Sequence, residues 1–95
     1  MKTTTLSELK SFPIAHTDVG DLIYGPEGPN NEFLVKGKIS KARAGLFFIS
    51  IDDLKFSTHK NSQFDVGEEV LCVVKPIIEN NKVSDFVISG LEKIN

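Results

Sequence analysis

The stretch Val35-Lys36-Gly37-Lys38-Ile39-Ser40-Lys41-Ala42-Arg43-Ala44-Gly45-Leu46-Phe47-Phe48-Ile49-Ser50-Ile51-Asp52-Asp53 decides the fold. Successive side chains of a strand point to opposite faces, and here apolar and polar residues alternate with that period. From Glu32 to Lys41, Phe33, Val35, Gly37 and Ile39 share one face, while Leu34, Lys36, Lys38 and Ser40 share the other. Ala42 to Gly45 reads as a turn, with Gly45 free to take positive φ. Leu46 to Asp52 then returns with Phe47, Ile49 and Ile51 on one face and Leu46, Phe48, Ser50 and Asp52 on the other. Such a pattern specifies an antiparallel hairpin with one face in a core and the other in water.

Downstream, Asp52-Asp53 forms a tight turn into a third strand, Leu54 to Thr58. The polar connection His59 to Glu68 is expected to hold a helical turn. Glu68 to Glu79 is apolar on both faces, as in a strand covered on both sides or crossing a barrel. Asn80-Asn81 suits a two-residue hairpin turn, because Asn tolerates the left-handed region, and Lys82 to Leu91 returns as the last strand. A flat sheet of these five strands would leave two long edges prone to aggregation, and closure into a barrel removes most of that edge.

Upstream, Thr5-x-x-Glu8 fits a capping box, Leu6 and Leu9 share a helical face, and Pro13 limits the segment. A helix from Leu6 to Ser11 is too short to stand alone, so it must dock. Residues 25–31 are dense in turn formers, and Asp21 to Tyr24 reads as a short strand. With 95 residues there is room for a single domain. Residues 1–31 are expected to be an N-terminal helix and Pro/Gly-rich loop segment packed on a barrel formed by residues 32–95.

The V-x-G-x-I strand at Val35, Gly37 and Ile39, followed by the Arg43/Gly45 turn and an apolar strand ending in Asp52, resembles the first hairpin of OB-fold nucleic-acid-binding domains of the anticodon-binding kind. Phe64-Asp65-Val66-Gly67-Glu68-Glu69-Val70 resembles the lead-in to the fourth strand of ribosomal RNA-binding repeats. The resemblance spans roughly residues 32–91. It implies an all-β fold, a small five-stranded OB-like barrel, here with a short N-terminal helix. It also implies single-stranded DNA or RNA lying on the face of the second and third strands and their loops.

Composition alone names no function. Eleven Lys+Arg against thirteen Asp+Glu give a net charge of −2, so no global positive charge points to nucleic acid or membrane. Its distribution is uneven: residues 1–35 carry net −3, residues 36–60 net +4 and residues 61–95 net −3. The single Cys72, in the most apolar strand, excludes an internal disulfide and reads as core. Neither a signal peptide nor a membrane span is recognisable, so the expected location is cytoplasmic, with no membrane partner.

A single strand offers regularly spaced phosphates and the flat faces of its bases, so a binder needs cations along a groove and an exposed ring. If Phe47, Ile49 and Ile51 fill the barrel, Phe48 points outward beside Lys36 and Lys38. The expected nucleic-acid-binding residues are therefore Lys36, Lys38, Arg43 and Lys55 for phosphate and Phe48 for stacking, with Phe56 a second candidate ring. The competing reading of Phe48 places it under the N-terminal segment, against Leu6, Leu9 and Phe12.

Nothing in the sequence assembles a catalytic site, a metal site or a cofactor site, and no enzyme is expected. His16 with Asp18 is an isolated pair, Asp52-Asp53 lacks a third carboxylate, and Gly25-x-x-Gly28 lacks the Lys-Ser/Thr of a phosphate loop. The alternative function is a protein-interaction module or inhibitor on the same barrel. Its surface would combine Glu8, Asp18, Asp21, Glu27, Glu32, Asp65, Glu68 and Glu69 with the loop 25–31, and an open strand edge would also permit a homodimer.

Overall fold

The computed structural model describes residues 3–11, 14–16, 22–24, 32–80 and 82–94, and over 14–16 and 22–24 the backbone alone. In chain order the elements are β1 (Thr3–Thr4), α1 (Leu6–Ser11), β2 (Ile14–His16), β3 (Leu22–Tyr24), β4 (Phe33–Arg43), β5 (Leu46–Ile51), β6 (Leu54–His59), β7 (Glu69–Glu79) and β8 (Lys82–Lys93). The main sheet runs β6-β5-β4-β7-β8, antiparallel throughout, and β1 adds in parallel beside the start of β4. β2 and β3 form a separate antiparallel pair. The sheet curls into a half-barrel, an all-β, five-stranded OB-like architecture with one short N-terminal helix. Its end strands β6 and β8 meet without a hydrogen-bonded ladder among the described residues, so closure is incomplete.

The concave face holds the core. Phe33, Val35 and Ile39 of β4, Phe47, Ile49 and Ile51 of β5, Val70, Cys72 and Val74 of β7 and Phe86 of β8 pack together. Leu6 and Leu9 of α1 belong to the same cluster, which explains how six residues hold a helix. Fully burying one such Leu is worth about 1.5–3 kcal/mol. The capping signal is realised in part: Glu8 N–H donates to Thr5 Oγ1 at 3.1 Å, while the Glu8 carboxylate accepts from the Thr4 hydroxyl at 2.8 Å.

At Gly37 core side chains from both neighbouring strands, β5 and β7, crowd over the β4 backbone. A Cβ there would sit 3.0 Å from Ile49 Cγ2 and Ile51 Cγ1 and 3.1 Å from Cys72 Sγ. Two residues further on the pairing slips. Ile39 faces Ile49, but Lys41 faces Phe48, so Ser40 is an extra residue in a β-bulge. Its hydroxyl donates to the Phe48 carbonyl at 2.9 Å. The slip inverts parity beyond it: Ala42, opposite Phe47, turns to the core, while Lys41 and Arg43 turn outward.

The first hairpin turn is tighter than the sequence pattern implies, and the other two have the expected length. β4 extends to Arg43, leaving Ala44 (φ 53°) and Gly45 (φ 78°) as a two-residue turn of the type that matches strand twist. Asp52-Asp53 and the turn after Glu79 are also two residues long, with Asp52 at φ 54° and Asn80 at φ 53°. The connection after β6 contains turns where a helical turn was expected. It is tied to the barrel by Gly67 N–H to the Ile39 carbonyl (2.7 Å) and Ile39 N–H to the Glu68 carbonyl (3.0 Å). Lys93 clamps its end, 2.9 Å from Glu68 Oε2 and 4.6 Å from the Phe64 ring centroid. The hydrogen bond from Lys93, then that from the Asp65 N–H, holds the Glu68 carboxyl below its usual range.

Candidate nucleic-acid interface

The convex face of β4, β5 and β6 is organised in cross-strand rows. One row is Arg43, Leu46 and His59; the next is Lys41, Phe48 and Ser57; the third is Lys38, Ser50 and Lys55. Each row begins with an exposed cation on β4. Leu46, Phe48 and Ser50, in the middle strand, are half-buried.

Phe48 points away from the core, as strand parity requires, and its ring lines a shallow groove of about 340 Å³ with Ser40, Lys41 and Lys55. The Lys41 ammonium stands 5.0 Å from the ring centroid. Lys55 reaches across from β6 and donates to Ser50 Oγ at 2.6 Å. Among residues with described side chains, Phe48 supplies the aromatic of this face; Phe33, Phe47, Phe64 and Phe86 are buried. Phe56 lies opposite Ile49 and packs against the core, so it turns away from the groove. Leu6 and Leu9 pack into the core cluster, to which Phe48 does not belong; Phe12 lies outside the described residues.

Of the residues expected from the sequence, Lys38, Arg43, Phe48 and Lys55 come together. Lys36 lies next to Lys38 and lines a groove with it and Ser50, but it is not part of the groove beside Phe48. It lies beside β7, opposite Leu71, and its ammonium pairs with Glu69 at 3.2 Å. Lys41 is the residue that strict alternation misses. Without the bulge it would share the face of Ile39 and point inward. The available signal is the break in pattern at Ser40-Lys41, two polar residues in a row before the small apolar Ala42.

The basic face has edges. Glu69, Asp52 and Asp53 stand at the Lys38 end, and the Ala44-Gly45 turn closes the other. Beyond Lys36, the convex side chains Leu34 and Val73 are buried. Glu68 and Glu69 of the expected acidic surface are engaged by Lys93 and Lys36. Asp18, Asp21, Glu27 and the loop 25–31 lie outside the described residues, as does the His16–Asp18 pairing.

Among the described residues no group of His, Cys, Asp and Glu is placed to hold a metal ion. Among them, too, no helix is long and apolar enough to cross a membrane. Compared with protein families, curated proteins and solved structures, the chain matches none.

Proposed function

We propose that this chain is a non-enzymatic binder of single-stranded nucleic acid, working in the cytoplasm without a cofactor. The observation that carries the reading is the outward ring of Phe48, 5.0 Å from the Lys41 ammonium and lining a groove with Lys41 and Lys55. Such a groove offers both things a single strand needs. Lys38, Lys41, Arg43 and Lys55 neutralise phosphates, and Phe48 takes a base. Stacking on one exposed ring is worth about 1–3 kcal/mol, and each neutralised phosphate steepens the salt dependence of a single-strand complex by about 0.7 in log–log slope. One ring and four cations on a chain of net charge −2 give modest affinity.

Titration of a labelled oligothymidine or oligouridine at low and moderate salt tests it. The expected result is measurable binding that weakens with salt and weakens further in Phe48→Ala while the circular dichroism is unchanged. Absence of binding at low salt removes the reading.

The open seam favours the second reading, a protein-interaction module or inhibitor. β6 and β8 face each other across a cleft lined by Leu46, Phe56, Phe86, Val87 and Ile88, and unpaired strand edges accept an extended peptide as an added strand. In that case amide exchange in β6 slows when the partner is added, and Phe48→Ala has no effect.

A further inference from the structure

We infer that the basic face is a three-phosphate site with a single base position: it takes a trinucleotide-length piece of single strand whose middle base lies on Phe48. The inference rests on the proposed nucleic-acid reading and adds the size and register of the ligand.

The cross-strand rows carry the argument. Arg43, Lys41 and Lys38 each head one row, and the middle strand marks their spacing with Leu46, Phe48 and Ser50. Those residues are two apart, so successive rows are separated by about 6.8 Å. That spacing is close to the phosphate repeat of an extended single strand. A backbone running along β4 therefore meets one cation per phosphate, and its bases lie over β5 towards β6. The middle row alone presents an aromatic ring; the flanking rows present Leu46 and Ser50 at the same position.

The face also stops after three rows. At the Lys38 end, the next cation is Lys36, already paired with Glu69 at 3.2 Å, and Asp52 and Asp53 stand at the nearby turn. A fourth phosphate would approach carboxylates. At the other end β4 and β5 finish at Ala44-Gly45. The groove beside Phe48, about 340 Å³, is lined by Ser40, Lys41, Phe48 and Lys55 and offers one ring for a base to stack on. This footprint is at or below the small end of single-strand sites on barrels of this size, about 4–16 nucleotides.

The test is a length series of 5′-phosphorylated oligothymidines from about one to twelve nucleotides, titrated at low salt. The site predicts affinity that climbs to three nucleotides and then grows only with the number of registers available. An abasic residue in the middle of the trinucleotide should cost about tenfold, and one at either end much less. In Phe48→Leu, which keeps an apolar side chain on the strand, the middle penalty should vanish. Affinity that keeps climbing steeply beyond about six nucleotides, or equal penalties at all positions, overturns the three-phosphate site and leaves nucleic-acid binding standing. Absence of binding at every length overturns both.

Discussion

The ammonium of Lys41 stands 5.0 Å from the centroid of the Phe48 ring, directly across the β4–β5 ladder. The β-bulge at Ser40 puts it there, by turning outward a side chain that regular alternation would send into the core. An exposed contact of this kind is worth about 0.5–1 kcal/mol. In the free protein the cation therefore occupies the ring that a base would cover. A stacked base displaces it, and the displaced ammonium remains within reach of a phosphate.

Lys41 and Lys36 should consequently behave differently. Lys41→Gln removes a cation from the groove, so binding should weaken and the salt slope should fall by about 0.7. Lys36→Gln removes a cation already paired with Glu69 at 3.2 Å, and its slope should stay near that of the wild type. Titrations of both variants across a salt series make the comparison. Equal effects would mean that net charge, and not the groove, sets affinity.

Gly37→Ala should destabilise the barrel. The added methyl would lie 3.0 Å from side-chain carbons of Ile49 and Ile51 and 3.1 Å from Cys72 Sγ, and none of these is the free end of a mobile chain. Overpacking of this kind costs about 1–3 kcal/mol. Urea denaturation should show a lower midpoint with an unchanged slope.

Ala44→Asn should stabilise it. Ala44 holds φ 53°, a conformation that costs a residue with a Cβ about 1–2 kcal/mol. The substitution creates an Asn-Gly turn, the pair best suited to this hairpin geometry. A gain of roughly 1 kcal/mol is expected, read as a higher urea midpoint. A loss would show that the turn is not of this type.

Burial pushes the Cys72 thiol up from its ordinary 9.0 to about 12. Two consequences follow. A water-soluble thiol reagent should label the folded protein only as fast as the barrel opens, and urea should accelerate labelling to the rate of a free thiol. Above pH 9 the unfolded chain gives up this proton while the folded chain keeps it. Stability is therefore fully present below that pH and is lost as pH rises towards 12. The unfolding midpoint of Cys72→Ala, measured over the same pH range, should lack this component.

The core was legible in the sequence because a period of two leaves little choice once one face is apolar. Phe33, Val35, Ile39, Phe47, Ile49 and Ile51 all point as the alternation dictates, and the Asp52-Asp53 turn follows from the same count. The helix over Leu6–Ser11 was legible from its cap and its two leucines. What alternation cannot carry is a change of phase. The bulge at Ser40 reorganised the site, bringing in Lys41, and the pairing of Lys36 with Glu69 depends on β4 lying beside β7, a contact between residues far apart in sequence. The incomplete seam between β6 and β8 is likewise a matter of curvature, which composition does not encode.

Stacking on Phe48 is tested most directly by titrating wild type and Phe48→Ala with the same labelled single strand at two salt concentrations. Wild-type binding should fall with salt, and the variant should lose about 1–3 kcal/mol at both concentrations, because stacking carries no charge. Equal affinities for the two proteins, or no complex with either at low salt, would contradict it.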